Sequence, residues 1–205
     1  MTIETLITSL DLIGIAACAT AGSILAIRKG LDVFGVLLIA TVASVGGGTV
    51  RDLLLNNHPI FWLVNPTYLI VIFVCALLTL IFYRQIIKIE RPLRVFDAIG
   101  LSAFTVIGVE VALLNQFTPF IAVIMGVTTA SFGGIMRDII CNEIPLVLHK
   151  EIYITASLIG AGILLILLHL NIAREIAYPI TLSTIFGIRM TAVYHNWGLP
   201  RFNKK

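Results

Sequence analysis

The sequence predicts an all-α membrane protein: seven transmembrane helices, arranged as two inverted three-helix repeats plus a seventh helix. Three observations carry that prediction. Of 205 residues, 59% are hydrophobic and 12% charged, about half the charge of a soluble domain, and the mean hydropathy is +1.03. Seven apolar stretches come close to the roughly 20 residues a helix needs to cross a bilayer. The chain also aligns with itself at a fixed offset, and rare polar residues carry the match.

The spans, with soft edges, are 5–27, 33–55, 64–83, 95–114, 119–140, 152–172 and 176–195. The loops between them leave no room for a soluble domain. Pro59 and Pro66 flank the start of the third span, while Pro92, Pro119 and Pro179 sit near the starts of later ones. Proline suits the first helical turn, where a missing N–H costs little. The first span is expected to be retained rather than cleaved, because no basic residue precedes it and Asp11 interrupts it. Composition excludes other classes. A net charge of +3 from 14 basic and 11 acidic residues is too little for a nucleic-acid surface. Cys18, Cys75 and Cys141 are widely spaced in apolar runs and read as small buried residues, not as a disulfide or zinc framework.

Orientation follows the basic residues. Arg28, Lys29, Arg84, Lys88, Arg91, Arg94, Lys150, Arg201, Lys204 and Lys205 all fall on one face, against Arg174 alone on the other. The N-terminus is therefore expected outside and the C-terminus in the cytoplasm. Trp62, Tyr68, Tyr153, Tyr178, Tyr194 and Trp197 cluster toward span ends as an interfacial belt would.

At an offset of 86 residues, positions 11–59 align with 97–145 without a gap, and 13 of 49 pairs are identical. The identities include Asp11/Asp97, Gly47/Gly133, Gly48/Gly134, Arg51/Arg137, Asp52/Asp138, Asn56/Asn142 and Pro59/Pro145. One period holds three spans, and an odd number reverses the second copy. Repeat one covers about 5–83 and repeat two about 95–172, with the seventh helix at 176–195 outside them. Inverted repeats place a pathway between the halves near mid-membrane.

Each second span carries Gly-Gly-x-x-Arg-Asp, with a third glycine, Gly46, in the first copy only. Adjacent glycines weaken a helix by about 1 kcal/mol each relative to alanine. They predict either a break near mid-membrane that exposes carbonyls to ions, or a close crossing of helices. Charges within a span are functional by default. Asp11 and Arg51 fall on the outer half, and Asp97 and Arg137 on the inner half. Two symmetry-related pairs are expected, Asp11–Arg51 and Asp97–Arg137, with Asp52 and Asp138 pointing about 100° away and free to face the path. Locking of neighbouring helices is the structural alternative for these pairs. Glu110 has Ile24 as its counterpart and reads equally as a pathway or a snorkelling residue. Thr41, Ser44, Thr49, Thr128, Thr129 and Ser131 either line a wet route or bond back to their own helix. His58, His149, His169 and His195 sit near span ends, where interfacial and capping roles outweigh metal binding. No Walker loop, HExxH or Ser/His/Asp set is present, so no enzyme activity and no cofactor is expected.

GGGTVRDLLL at 46–55 and GGIMRDII at 133–140, duplicated in inverted halves, resemble the prokaryotic branch of the trimeric intracellular cation (TRIC) channel family over about residues 5–195. The resemblance implies a homotrimer with a pore in each protomer, in a prokaryotic plasma membrane, passing monovalent cations, chiefly potassium, with sodium left open. It implies kinks at Gly46, Gly47, Gly48, Gly133 and Gly134; the metal is left open, with the carbonyls near Gly46–Gly48 and Gly133–Gly134 as the place for a monovalent cation on the glycine reading. Arg51, Asp52, Arg137 and Asp138 would be the neighbouring charges. The Lys-Glu-Val motif of phosphoinositide-binding animal members is missing here. An alternative is a small-solute transporter of the same fold, taking glycine-type amino acids.

Overall fold

The computed structural model describes residues 3–89, 91–148 and 152–198. It forms helices α1 (Ile3–Arg28), α2 (Val33–Leu54), α3 (Phe61–Val64), α4 (Thr67–Ile81), α5 (Tyr83–Ile86), α6 (Pro92–Leu114), α7 (Pro119–Ile140), α8 (Ile154–His169) and α9 (Arg174–His195), with a 3-10 turn at Leu146–Leu148. No β-strand forms among the described residues. The protein is an all-α membrane protein. Five helices (α1, α2, α6, α7 and α9) are long and apolar enough to cross a membrane. The expected spans 64–83 and 152–172 are shorter, at 15 residues in α4 and 16 in α8. At 1.5 Å per residue these reach only about 22–24 Å. One-turn helices flank α4 on either side.

Pro92 and Pro119 do occupy first helical turns. Pro179 lies inside α9, five residues after its first residue, so the first-turn expectation is corrected there. The ends of α2 and α7 explain one repeated identity. Asn56 and Asn142 take left-handed φ values of 53° and 52°, a common way to end a helix. The next amides, of Asn57 and Glu143, then donate to the carbonyls of Asp52 and Asp138 at 2.8 Å. Each chain is turned back over its own Arg-Asp pair.

Helix α6 forms the centre, with every residue from Asp97 to Glu110 buried except Ile99. Glycine contacts among α1, α2, α6 and α7 come in pairs 86 residues apart. A Cβ on Gly14 would press on Phe104, and one on Gly100 would overlap Cys18 Sγ. A Cβ on Gly22 would meet Ile39, Ala40 and Ala43, and one on Gly108 would meet Met125, Gly126 and Thr129. One end of the bundle gathers the ends of α1 and α7 with the start of α6 and the end of α9. They surround a cavity of about 530 Å³ lined by Arg28, Arg91, Arg94, Asp138, Glu143 and Leu146 among others. We call this end the Arg137 face and its opposite the Arg51 face. His149, Lys150, Arg201, Lys204 and Lys205 lie outside the described residues.

Candidate functional site

The glycine pairs sit where α2 and α7 cross. Both helices run without interruption through them, so the expected mid-membrane break is not seen. The glycines do make close contacts. A Cβ on Gly47 would overlap the Thr129 carbonyl oxygen, and one on Gly133 would overlap the Ala43 carbonyl oxygen. Position 43 is the repeat mate of 129, so the two contacts are reciprocal. Small residues that let backbones touch are a common glue in lipid, where hydrophobic attraction between helices is lost. Gly46 lies against Met136 and the Gly133 Cα, 3.0 and 3.5 Å from where its Cβ would stand.

The second glycine of each pair faces a charged centre, and here the two copies differ. On the Arg137 face, Arg137 Nη1 donates to Asp97 Oδ1 at 2.8 Å and Nε donates to Asp138 Oδ1 at 2.8 Å. The other Asp138 oxygen accepts the Leu146 amide at 2.9 Å. Arg137, Asp97 and Asp138 are all buried. Around Gly134 the nearest atoms to an added Cβ would be Arg137 Nη2 at 3.6 Å, with Asp97 Oδ1 and the Tyr153 hydroxyl at 3.7 Å. Room for one methyl group is left among polar atoms, and Asp97 Oδ2 and Arg137 Nη2 have no hydrogen-bond partner.

On the Arg51 face, Arg51 Nε and Nη2 both meet Asp52 Oδ1 at 2.8 Å, and Asp52 Oδ2 accepts the Phe61 amide at 3.1 Å. Among the described residues no salt bridge joins Arg51 to Asp11. Arg51 and Asp52 remain the nearby charges, and the Tyr68 hydroxyl stands beside Asp11 as well. Of the two expected pairs, Asp97–Arg137 is thus a direct ion pair and Asp11–Arg51 is not. The Phe61 ring packs on Gly48, lies 5.5 Å from the Arg51 guanidinium and meets Tyr68 edge-on at 5.1 Å.

Asp52 and Asp138 are not free, contrary to the sequence expectation. Successive helix positions diverge by about 100°, but the arginine side chain is long enough to curl across that angle onto its neighbour. Tyr68 and Tyr153 belong to the centres rather than to an interfacial belt, and Tyr178 is also buried. Tyr194 and Trp197 are exposed as a belt requires. Thr41, Thr49, Thr129 and Ser131 bond back to carbonyls of their own helices, while Ser44 reaches across to the Ile15 carbonyl. Glu110 is fully buried and accepts a hydrogen bond from Arg174 Nε at 3.1 Å, so it neither snorkels nor stands alone.

Sequence reasoning missed Arg189. It is completely buried in α9, with its guanidinium 4.9 Å over the Tyr153 ring. A single arginine within an apolar run was the signal available for it. It brings α9, which lies outside both repeats, to the Arg137 centre.

Comparison with known proteins places this arrangement. A family model described as glycine transporter matches the chain twice, at residues 8–84 and 94–169. The chain belongs to this family. The UPF0126 inner membrane protein YadS of Escherichia coli is 39% identical over 200 residues, covering 94% of both chains. A UPF0126 membrane protein of Vibrio cholerae is 40% identical over 194 residues, covering 94% of this chain and 81% of its own. Among solved structures, the TRIC channel orthologue of Rhodobacter sphaeroides is 38% identical with a TM-score of 0.87, covering 94% of this chain and 99% of its own. A structure described for conductance through TRIC cation channels is 34% identical with a TM-score of 0.87, covering 100% and 99%. This family member therefore has the fold of the prokaryotic TRIC channels. The two matched segments start 86 residues apart and end 85 apart. The Phe61 amide bonds Asp52, nine residues before it, and the Leu146 amide bonds Asp138, eight before it, so from there an offset of 85 sets Phe61 in register with Leu146 and Tyr68 with Tyr153.

Proposed function

We propose that this chain is a monovalent-cation channel of a prokaryotic inner membrane. It works as a homotrimer with one path per protomer, carries chiefly potassium, and keeps its Arg137 face in the cytoplasm. The duplicated charged centre carries the reading. Each repeat buries two carboxylates and one arginine at the side of the α2–α7 crossing: Asp11, Arg51 and Asp52, then Asp97, Arg137 and Asp138. Burying such charges in lipid costs about 2.5–3.5 kcal/mol each on insertion scales, which is difficult to explain unless they work. An excess of one carboxylate per repeat favours cations over anions. The built-in arginine weakens each site enough for an ion to leave, as conduction requires. Likeness to the TRIC cation channels over the whole chain supports the same reading.

Single-channel recording in a planar bilayer under a potassium gradient tests it, with Arg51→Ala and Arg137→Ala beside the parent. Discrete steps reversing near the potassium equilibrium potential, altered in both variants, are expected. A silent bilayer with folded protein refutes it.

One observation favours a second reading. Asp97 Oδ2 and Arg137 Nη2 are buried atoms of opposite charge without hydrogen-bond partners, close to Gly134. Such a pair complements the ammonium and carboxylate of a small zwitterion, in keeping with the glycine-transporter description of the family. Saturable glycine uptake into liposomes, lost in Gly134→Ala while the fold persists, would establish that reading.

A further inference from the structure

The two charged centres are copies of one unit caught in two arrangements, and one side chain accounts for most of the difference. With the one-residue shift, Phe61 and Leu146 are equivalent: each donates its backbone N–H to the second oxygen of its Arg-Asp aspartate. Their side chains go to different places. The Phe61 ring stands on Gly48 among Arg51 and Tyr68. Leu146 leaves Gly134 to polar neighbours and lines the cavity that Asp138 also lines. The arginines follow the same division. Arg137 bridges Asp97, whereas Arg51 lies under the phenyl ring and, among the described residues, makes its ion pair with Asp52.

We propose that Phe61 is the gate of the Arg51 face. Its ring fills the space above Gly48 and packs on Tyr68, whose hydroxyl stands beside Asp11. The path opens when the ring leaves Gly48, and Arg51 then turns to Asp11 as Arg137 already does to Asp97. Phe61 sits on the four-residue helix α3, none of whose residues is buried; its amide bonds Asp52, and Trp62 Nε1 beside it donates to Thr49 Oγ1 at 3.0 Å, so the ring can swing about its own side-chain bonds while α3 stays tied to α2. The gate rests on the reading that ions or solutes pass the two centres.

The test has two arms. Asp11→Cys is placed in a background with Cys18, Cys75 and Cys141 replaced by alanine. A membrane-impermeant cationic thiol reagent is then added from the Arg51 face, with Phe61 intact or as Phe61→Ala. Labelling about tenfold faster in Phe61→Ala is expected if the ring is the barrier. In planar bilayers with potassium chloride, Phe61→Ala is expected to raise open probability by a similar factor and Phe61→Leu by less. Phe61→Leu, which installs the residue of the opposite face, carries both arms should the alanine variant fail to assemble by size exclusion. Unchanged labelling and unchanged open probability in a folded variant overturn the gate while leaving the channel standing. Faster labelling with a silent parent keeps the gate and removes the channel.

Discussion

The unequal pairing of the two repeats makes a sharp prediction about stability. Asp97 and Asp11 are repeat mates, both are buried, and sequence alone treats them alike. Asp97→Ala removes a 2.8 Å ion pair to Arg137, a guanidinium only 1% exposed. Removing one partner of a buried pair generally costs about 3–5 kcal/mol, because the remaining charge is left uncompensated. Arg137 keeps Asp138 at 2.8 Å, so the lower end, about 3 kcal/mol, is expected. Asp11→Ala breaks no ion pair and strands no charge. It costs about 1 kcal/mol or less, comparable to one ordinary hydrogen bond. For a chain of this size each kcal/mol moves Tm by about 2–4 °C, giving a drop of about 6–12 °C for Asp97→Ala against at most about 4 °C for Asp11→Ala. Thermal unfolding of both variants in the same detergent measures the difference. Asp97→Asn should fall between them, since an amide oxygen can still accept from Arg137 without the charge. Equal drops for the two alanine variants, or a larger one for Asp11→Ala, would refute the asymmetry.

Other contacts give predictions of the same kind. Gly47→Ala and Gly133→Ala drive a methyl group into a backbone carbonyl across the α2–α7 crossing, and overpacking of about 1–3 kcal/mol or more is expected in a thermal melt. Gly162→Ala and Gly187→Ala meet open space and should stabilise by up to about 1 kcal/mol through helix propensity. Arg174→Ala strands the fully buried Glu110 carboxylate and should cost about 3 kcal/mol, much of which Glu110→Gln in the same chain restores. The Lys29–Glu143 bridge at 2.6 Å is partly exposed, so Lys29→Ala should cost under about 1 kcal/mol, and the loss should shrink in high salt.

The sequence made the membrane class and the duplicated Arg-Asp strings legible because both are written in residue type. Charges in apolar runs stand out without any knowledge of packing. The sequence leaves the glycines open between a break and a crossing, and the close crossing becomes visible only with α7 set against α2: the Thr129 and Ala43 carbonyls occupy the space a side chain would need. The Tyr68/Tyr153 equivalence was hidden for a different reason. An ungapped offset of 86 holds to Pro59/Pro145, but the change of offset beyond it shifts the later positions by one, so two matched tyrosines align with Thr67 and Ile154 instead. The bonds from the Phe61 and Leu146 amides to the Asp52 and Asp138 carboxylates restore the register in space. Helical angle alone leaves Asp52 and Asp138 free, but an arginine side chain is long enough to reach the aspartate that follows it.

The departures from repeat symmetry bear most directly on mechanism. A perfectly symmetric pair of inverted halves would present the same barrier to both faces and give no reason for one end to close before the other. Here α9 adds Arg189 and its stacking on Tyr153 at one centre only, and Phe61 stands in place of leucine at the other. The shared parts are Asp, Arg-Asp, the crossing glycines and the two tyrosines, present at both ends. The unshared parts adjust one end at a time. Leu146→Phe should therefore act at the opposite face from Phe61→Ala. If Leu146→Phe lowers potassium current while Asp11→Cys labelling from the Arg51 face stays unchanged, the two barriers are separate. Slower labelling of Asp11→Cys in Leu146→Phe would instead mean that both faces close in one concerted motion through the α2–α7 crossing.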